Sequence, residues 1–171
     1  MSELRIPVDD HDHITGPADA PVTVVEYGDY QCPYCREAVP VVRELIDEYR
    51  GRIRFVFRNF PLDDVHPHAV EAAYVAEFAA EAGRFWEAHD LLYAHQDELG
   101  TDLYARICQH LDLPLRDLET AFEQRRYADR IEADLEGGIR SGVNGTPTFF
   151  VNGVRVEGGT AGLAEAIAEA V

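Results

Sequence analysis

A cysteine pair set between a buried strand and a helix constrains this chain more than any other feature. Residues 21–28 are rich in β-branched side chains, which predicts a buried strand. Cys32-Pro33-Tyr34-Cys35 follows after a short turn, and from Pro33 to about Tyr49 apolar side chains recur at helical spacing. Residues 52–60 alternate Arg with apolar residues, which predicts a strand with one solvated edge or face. The order strand, helix, strand is typical of a parallel βαβ unit.

The middle of the chain is predicted to be helical, and strands return near its end. Five candidate helices follow the second strand, at 67–82, 84–97, 102–111, 115–124 and 127–140. Strands are predicted at 147–151 and 154–157, joined by Asn152-Gly153, which is a strong signal for a two-residue hairpin. A short Ala-rich helix at 161–170 ends the chain.

The order of these elements predicts the fold class. A βαβ unit, a helical block and a ββα unit together give an α/β fold, with a central mixed sheet flanked by helices. The helical block is then an all-helical insertion at 62–141, between the two halves of a single domain of residues 1–171. A chain of this length is large enough for one domain with a sizeable core.

Charge and hydropathy exclude several classes of partner. The net charge is −17, with 32 acidic residues against 15 basic ones, and every basic residue is Arg. A surface this negative repels phosphate backbones and anionic lipids, so we expect no nucleic-acid and no membrane partner. The polar N-terminus, which we expect to be flexible and which contains His11 and His13, has no apolar segment typical of a secretion signal. We therefore expect a cytoplasmic protein, the alternative being that a signal was removed.

The cysteine pair is predicted to be redox-active. Cys32 would be the N-cap residue of its helix, where unpaired N–H groups and the helix dipole stabilise a thiolate. Cys35 would lie one turn further along the helix, close enough to form a disulfide with Cys32. Disulfide exchange requires the first cysteine to be exposed and readily ionised. The alternatives are a structural disulfide and half of a zinc site, but no second Cys-x-x-Cys accompanies the histidines, so we predict no metal. Cys108 is predicted to be a small buried side chain.

Two further segments are candidates for the same site. Strand alternation places Glu26 on the same face as Val22 and Val24, which predicts a buried carboxyl beneath the cysteines that accepts the Cys35 proton. An exposed glutamate at the strand end is the alternative. Pro147 heads a strand that is predicted to be central, and a cis Thr146–Pro147 bond would explain it, although an ordinary strand start would also fit.

Several ordered segments together resemble the DsbA-like branch of the thioredoxin superfamily. The matching segments are Glu26-Tyr27-Gly28-Asp29-Tyr30-Gln31-Cys32-Pro33-Tyr34-Cys35, Arg58-Asn59-Phe60-Pro61-Leu62, His66-Pro67-His68-Ala69, Gly83-Arg84-Phe85-Trp86-Glu87-Ala88-His89-Asp90 and Gly142-Val143-Asn144-Gly145-Thr146-Pro147-Thr148-Phe149-Phe150-Val151-Asn152-Gly153. The resemblance implies a thioredoxin-like fold in which residues 62–141 are the helical insertion. It also implies roles for four residues: nucleophile for Cys32, resolving thiol for Cys35, buried acid for Glu26 and cis-proline for Pro147.

The predicted function is that of a thiol–disulfide oxidoreductase acting on protein thiols without a cofactor. The residues predicted to contact substrate are Pro33, Tyr34, Thr146 and Pro147, and glutathione or a thioredoxin-type protein is the candidate recycling partner. The strongly oxidising periplasmic members of the family carry Pro-His between the cysteines, so Pro-Tyr leaves the direction of electron flow open. The alternatives are a glutathione-dependent transferase or isomerase of the same fold and a non-catalytic binding module.

Overall fold

A five-stranded mixed sheet with helices on its faces organises the computed structural model, which describes residues 2–171. The strands are β1 (His13–Thr15), β2 (Val22–Gly28), β3 (Ile53–Asn59), β4 (Thr148–Val151) and β5 (Val154–Arg155). The helices are α1 (Pro33–Glu48), α2 (Ala69–Glu81), α3 (Phe85–Ala94), α4 (Thr101–His110), α5 (Leu115–Glu123), α6 (Ala128–Arg140) and α7 (Thr160–Ala170), with a 3₁₀ turn at Gln96–Glu98.

The strand order confirms the predicted α/β fold with a central mixed sheet. The order is β1-β3-β2-β4-β5, in which β2 and β3 run parallel and the other pairs run antiparallel. Helices α2 to α6 all lie between β3 and β4 in the chain, so the helical block separates the βαβ half from the ββα half. No helix within residues 2–171 combines the length and the apolar character needed to cross a bilayer.

The central strand β2 is buried on both faces, and its side chains alternate between two core clusters. Val22 and Val24 belong to the larger cluster, which also contains residues of α1, α3 and α7, whereas Val25 and Tyr27 belong to a smaller cluster on the other face. The predicted alternation is confirmed, and it directs Glu26 toward α1 and α3. A charged residue therefore lies on the apolar side of the sheet, directly below the helix that begins at the cysteines.

The N-terminal segment contains a strand that the sequence does not predict. His13 was expected in a flexible terminus, but it lies in β1, which pairs antiparallel with β3. Its ring stacks on Phe85 with 3.7 Å between centroids, and its Nε2 lies 2.8 Å from Glu77 Oε2. A strand of three residues is too short to show a periodic pattern, so its contacts with α2 and α3 are visible only in the folded chain.

The expectation that β3 has a solvated edge or face is wrong, because Arg58 is only 3% exposed. Its guanidinium donates to both carboxylate oxygens of Asp12, at 2.8 and 3.0 Å, to the Ile6 carbonyl at 2.9 Å and to the Tyr27 hydroxyl at 2.9 Å. A buried arginine is tolerated when its N–H groups are paired in this way. The N-terminal segment thus covers what would otherwise be an open edge of the sheet.

We predict that Gly28→Ala destabilises the protein by about 1–3 kcal/mol, the usual cost of overpacking a core. A Cβ at Gly28 would lie 2.5 Å from the Phe57 ring and 2.7 Å from Glu26 Oε2, so both groups would have to move. Denaturant unfolding monitored by circular dichroism measures the change. The matched control is Gly145→Ala, where the Cβ meets nothing within 4 Å. Equal stability of the two variants would contradict the prediction.

Candidate active site

Cys32 occupies the position at which a helix activates a thiol. It is the N-cap residue of α1, and Pro33 begins the helix. The pKa of Cys32 falls from its ordinary value of 9.0 to about 6, first because the Cys35 thiol hydrogen-bonds to its sulfur, then because Thr146 and the backbone N–H groups of Cys35 and Tyr34 do so. All three cysteines are free thiols in this structure. Cys32 is therefore largely a thiolate at neutral pH.

The exposure of Cys32 differs from the expectation. A nucleophile open to solvent was predicted, but Cys32 is 3% exposed, while the neighbouring Tyr34 is 67% exposed. The Cys32 sulfur is covered on one side by the turn that carries Thr146, whose carbonyl oxygen accepts a hydrogen bond from the thiol at 3.5 Å. A substrate sulfur must consequently approach along the small part of Cys32 that stays uncovered.

Cys35 has the opposite character. It is 1% exposed, and its pKa is raised well above the ordinary value, first by burial, then by its hydrogen bond to Cys32 and by the nearby charge of Glu26. A buried thiol with a raised pKa holds its proton and does not react until that proton is removed. At neutral pH Cys32 is therefore the ionised, reactive sulfur and Cys35 is the protonated, unreactive one.

Glu26 is buried beneath this pair, so the alternative of an exposed strand-end glutamate is wrong. It is 4% exposed, and its pKa rises from 4.5 to about 8, first because burial disfavours the charged form and then because the Cys32 thiolate repels it. A carboxyl with a pKa in this range can both donate and accept a proton near neutral pH. Only the absence of a Cβ at Gly28 leaves room for its Oε2 atom.

The turn opposite the cysteines brings Thr146 against Cys32. The Thr146–Pro147 peptide bond is cis. Besides its carbonyl, Thr146 offers a hydroxyl oxygen that is buried without a hydrogen-bond partner. That hydroxyl is one of the groups that lower the pKa of Cys32, because it can donate to the thiolate. Thr146 therefore contacts the sulfur in both of its protonation states.

A groove of about 690 Å³ lies beside the sulfurs. Three of the four residues predicted to contact substrate line it, namely Tyr34, Thr146 and Pro147, while Pro33 does not. The rest of its lining comes from Glu37 and Val41 of α1, from Gly158 and Gly159, and from the start of α7. Its size is within the range of pockets that hold peptides or small ligands.

The helical block supports the active-site turn through a residue that sequence reasoning missed. Gln96 is buried, and its Nε2 donates to the carbonyl oxygens of Tyr30 and Cys32, at 2.9 Å in each case. The partners are 64 and 66 positions away, and an isolated glutamine carries no motif, so no signal marks it. His89 was expected to serve packing, and its Nδ1 also lies 3.1 Å from the Tyr30 hydroxyl.

The histidines near the site are engaged with carboxylates. His66 Nδ1 lies 2.8 Å from Asp29 Oδ2, and His68 Nδ1 lies 2.9 Å from Glu71 Oε2. Within residues 2–171, no group of three or more His, Cys, Asp or Glu side chains is arranged to hold a metal ion. The ionisable groups that the structure brings together at the start of α1 are the two thiols and Glu26.

A mixed sheet with a Cys-x-x-Cys pair at a helix start and a cis-proline turn opposite defines a thioredoxin-like protein. The sequence model of the family described as thioredoxin matches residues 9–169, and the chain belongs to that family. A thioredoxin-like oxidoreductase from Silicibacter pomeroyi DSS-3 is 29% identical, with a TM-score of 0.82 over 95% of this chain and 93% of that one. BdbD from Bacillus subtilis, at 23% identity and a TM-score of 0.84 over 98% and 95% of the two chains, shares the fold.

Curated relatives contain a similar domain within much longer proteins. The protein named Na(+)/H(+) antiporter NhaA 3 of Salinispora tropica is 54% identical over 157 residues, which are 91% of this chain and 24% of that protein. The chain thus spans about a quarter of the length of the curated relatives it matches. The similarity shows that a domain like this one recurs in these proteins. The transport activity in their names refers to the whole relatives and not to the matching quarter.

We predict that Thr146→Val raises the pKa of Cys32, because the thiolate loses a hydrogen-bond donor while the side-chain volume is nearly kept. The expected rise is about half a unit to one unit, equivalent to a lost charge-assisted hydrogen bond of roughly 1 kcal/mol. The pH dependence of Cys32 alkylation in a Cys108→Ala background measures it. Thr120→Val in α5 is the control for the same change away from the site. If the pKa of Cys32 is unchanged in Thr146→Val, the Thr146 hydroxyl does not stabilise the Cys32 thiolate.

We predict that Glu26→Gln stabilises the reduced protein increasingly as pH rises. The folded-state pKa of Glu26 is raised to about 8 against 4.5, so ionisation opposes folding between these two values. The two proteins should therefore differ least below pH 4.5, and the gap should grow until about pH 8, reaching roughly 3 kcal/mol at pH 7. Chemical denaturation at several pH values tests this, and a gap that stays constant with pH would refute the buried, destabilising carboxylate.

Proposed function

We propose that this domain is a thiol–disulfide oxidoreductase that exchanges disulfides with protein thiols through Cys32 and Cys35. The observation that carries the proposal is the division between the two sulfurs: a Cys32 thiolate with a pKa of about 6 at a helix start, and a protonated, buried Cys35 above a buried acid. A structural disulfide would need neither an activated thiolate nor a carboxyl beneath it. Exchange chemistry needs the thiolate, and a buried carboxyl can accept the proton of the second thiol.

The steps of the reductive direction follow from this arrangement. The Cys32 thiolate attacks one sulfur of a substrate disulfide, forming a Cys32–substrate bond while the other substrate sulfur leaves as a thiolate. Cys35 then loses its proton to the Glu26 carboxylate and attacks the Cys32 sulfur, forming the Cys32–Cys35 disulfide and releasing the second substrate thiolate. Two electrons pass from the domain to the substrate. In the oxidative direction the same steps run in reverse, and protonated Glu26 supplies a proton to Cys35 as it leaves.

The groove supports a peptide as substrate. It is bounded by Tyr34, Thr146 and Pro147, so a chain lying in it passes beside the Cys32 sulfur. An extended peptide could pair with the Thr146 backbone in the manner of strand addition. Pro33 lies outside the groove lining, and we assign it the role of beginning α1 rather than of contacting substrate.

The curated relatives suggest a class of partner. In those proteins a domain similar to this one occurs within a polypeptide named as an antiporter. A tethered redox domain acts preferentially on thiols near its attachment, because tethering raises their effective concentration. We include a transporter of that kind among the candidate partners, alongside glutathione and thioredoxin-type recycling proteins.

The test is reduction of insulin, and oxidation of a reduced model protein, by the wild type and by Cys32→Ser. We expect the Cys32→Ser rate to fall to the uncatalysed rate, because no activated thiolate remains. Cys108→Ala, which removes a buried cysteine that is 1% exposed, is the matched control and should keep wild-type activity. Equal rates for the wild type and Cys32→Ser would end the proposal.

Cys35→Ser separates this function from a glutathione-dependent transferase or isomerase. In the exchange mechanism the variant stops at the mixed disulfide and traps its substrate, which mass spectrometry can then identify. Full activity of Cys35→Ser in the presence of glutathione would favour the alternative. The reduction potential decides the direction of exchange, and we expect a value between about −270 mV for a reductant and about −120 mV for a strong oxidant, because Tyr34 places no histidine beside the thiolate.

A further inference from the structure

A cavity of about 210 Å³ lies between α1 and α3, and Glu26 forms part of its wall. Its apolar lining includes Val42 and Ile46 of α1 and Trp86 of α3. His89 lines it as well. A space of this size has room for several water molecules, and the polar groups on its wall provide partners for them.

The cavity reaches solvent at an ion pair. Arg43 Nη2 lies 3.1 Å from Asp90 Oδ1, joining α1 to α3, and the two side chains are 58% and 50% exposed. Glu26, at the inner end, is 4% exposed. The lining of the cavity therefore includes both a buried carboxyl and two side chains at the protein surface.

This opening is separate from the substrate groove. The groove is bordered by Tyr34, Glu37 and Val41, whereas the cavity is bordered by Val42 and Ile46 together with other residues of α1. At 100° per residue these two sets lie on opposite sides of the helix. A substrate bound at Cys32 covers the groove side and leaves the cavity side open.

The exchange chemistry needs such an opening. Glu26 takes up a proton from Cys35 in one direction and gives one up in the other, so its proton must be renewed or removed in each cycle. When the substrate is joined to Cys32, the front of the site is closed by the substrate itself, and Cys35 is only 1% exposed. The proton must then travel by a path that does not pass the sulfurs.

We propose that the cavity between α1 and α3 is the route by which Glu26 exchanges its proton with solvent, and that its entrance is at Arg43 and Asp90. This inference rests on the proposed exchange function and adds the path of the proton to it. The route is a property of side chains that do not touch the substrate. It makes Val42 and Ile46 determinants of a chemical step at Cys35.

Other ionisable groups near Glu26 do not offer a competing path. Tyr30 and Tyr93 are almost fully buried, and their pKa values are raised well above the ordinary value, chiefly by burial, so they keep their protons. Burial lowers the pKa of His89 to about 3, so it is neutral. The remaining neighbours are Cys32 and Cys35, which are the reacting groups themselves.

The test fills the cavity and follows the two thiol steps separately. Reduced protein is mixed with an aromatic disulfide whose thiolate absorbs visible light, so that Cys32 attack releases one coloured thiolate and Cys35 attack releases a second. At pH 7 most molecules hold a proton on Glu26, because its pKa is about 8, and must release it before Cys35 can pass on its own. We expect Val42→Phe to slow the second phase about tenfold, which is less than the roughly hundredfold effect at the lower end of general-base catalysis because Glu26 itself is kept, and to leave the first phase unchanged.

A double-mutant cycle separates a blocked route from a disturbed core. In a Glu26→Gln background no carboxyl exchanges a proton through the cavity, so Val42→Phe should no longer alter the rate of the second phase. The Val42→Phe defect should also shrink as pH rises above about 8, where Glu26 is already ionised. Ile46→Phe, which fills the same cavity from a half-buried position, replaces Val42→Phe if that variant does not fold, and Val154→Phe on β5 is the control for an added ring.

The outcomes distinguish the inference from the function. If the wild type releases no second thiolate, the proposed dithiol exchange fails. If the wild type releases both thiolates but the Val42→Phe defect persists in the Glu26→Gln background, or is absent in both backgrounds, the proton route is wrong and the exchange function stands.

Discussion

The Asp29 carboxylate joins the separate parts of the chain that meet behind the cysteine pair. It lies at the end of β2, is 1% exposed, and accepts hydrogen bonds from the backbone N–H groups of Gln31 at 2.7 Å and Leu62 at 2.8 Å, while His66 Nδ1 lies 2.8 Å from it. A buried carboxylate is costly unless donors surround it. These donors therefore fix the turn before Cys32 to the segment that follows β3, and the start of α1 depends on that attachment.

The helical block does more than cover the sheet, because it creates the environment in which the acid and the second thiol work. Residues of α3 line the cavity that Glu26 borders, and Gln96 donates hydrogen bonds to the carbonyl oxygens of Tyr30 and Cys32. Burial is the leading cause of the raised pKa of both Glu26 and Cys35. Since α3 contributes Trp86 and His89 to the cavity that Glu26 lines, the helical block takes part in this burial together with α1 and the sheet.

The sequence predicts the main elements of the site because its signals are local. Two-residue alternation in β2 is enough to direct Glu26 inward. A proline at the head of a strand that is predicted to be central draws attention to Thr146–Pro147, although the sequence leaves a cis bond and an ordinary strand start equally open. Arg58 shows the limit: in an alternating strand it indicates a solvated face, yet the chain supplies Asp12, 46 positions earlier, as its buried partner. Pairings at such separations leave no periodic trace, and the cavity behind Glu26, which is empty space between two helices, leaves none at all.

The protonation state of Glu26 at neutral pH suits one of the two proton transfers in the proposed mechanism. With a pKa of about 8 the carboxyl is mostly protonated at neutral pH, so it is ready to donate to Cys35 when an incoming thiolate opens the Cys32–Cys35 disulfide. The reverse step requires the ionised form, which is the minority below pH 8. A low pKa of Cys32 acts in the same sense, because it stabilises the reduced pair and so makes the disulfide a better oxidant. Cys35, whose pKa is raised well above its ordinary value, stays protonated in the reduced pair at neutral pH and adds nothing to this stabilisation, so Cys32 is the thiol that sets how strongly the domain oxidises.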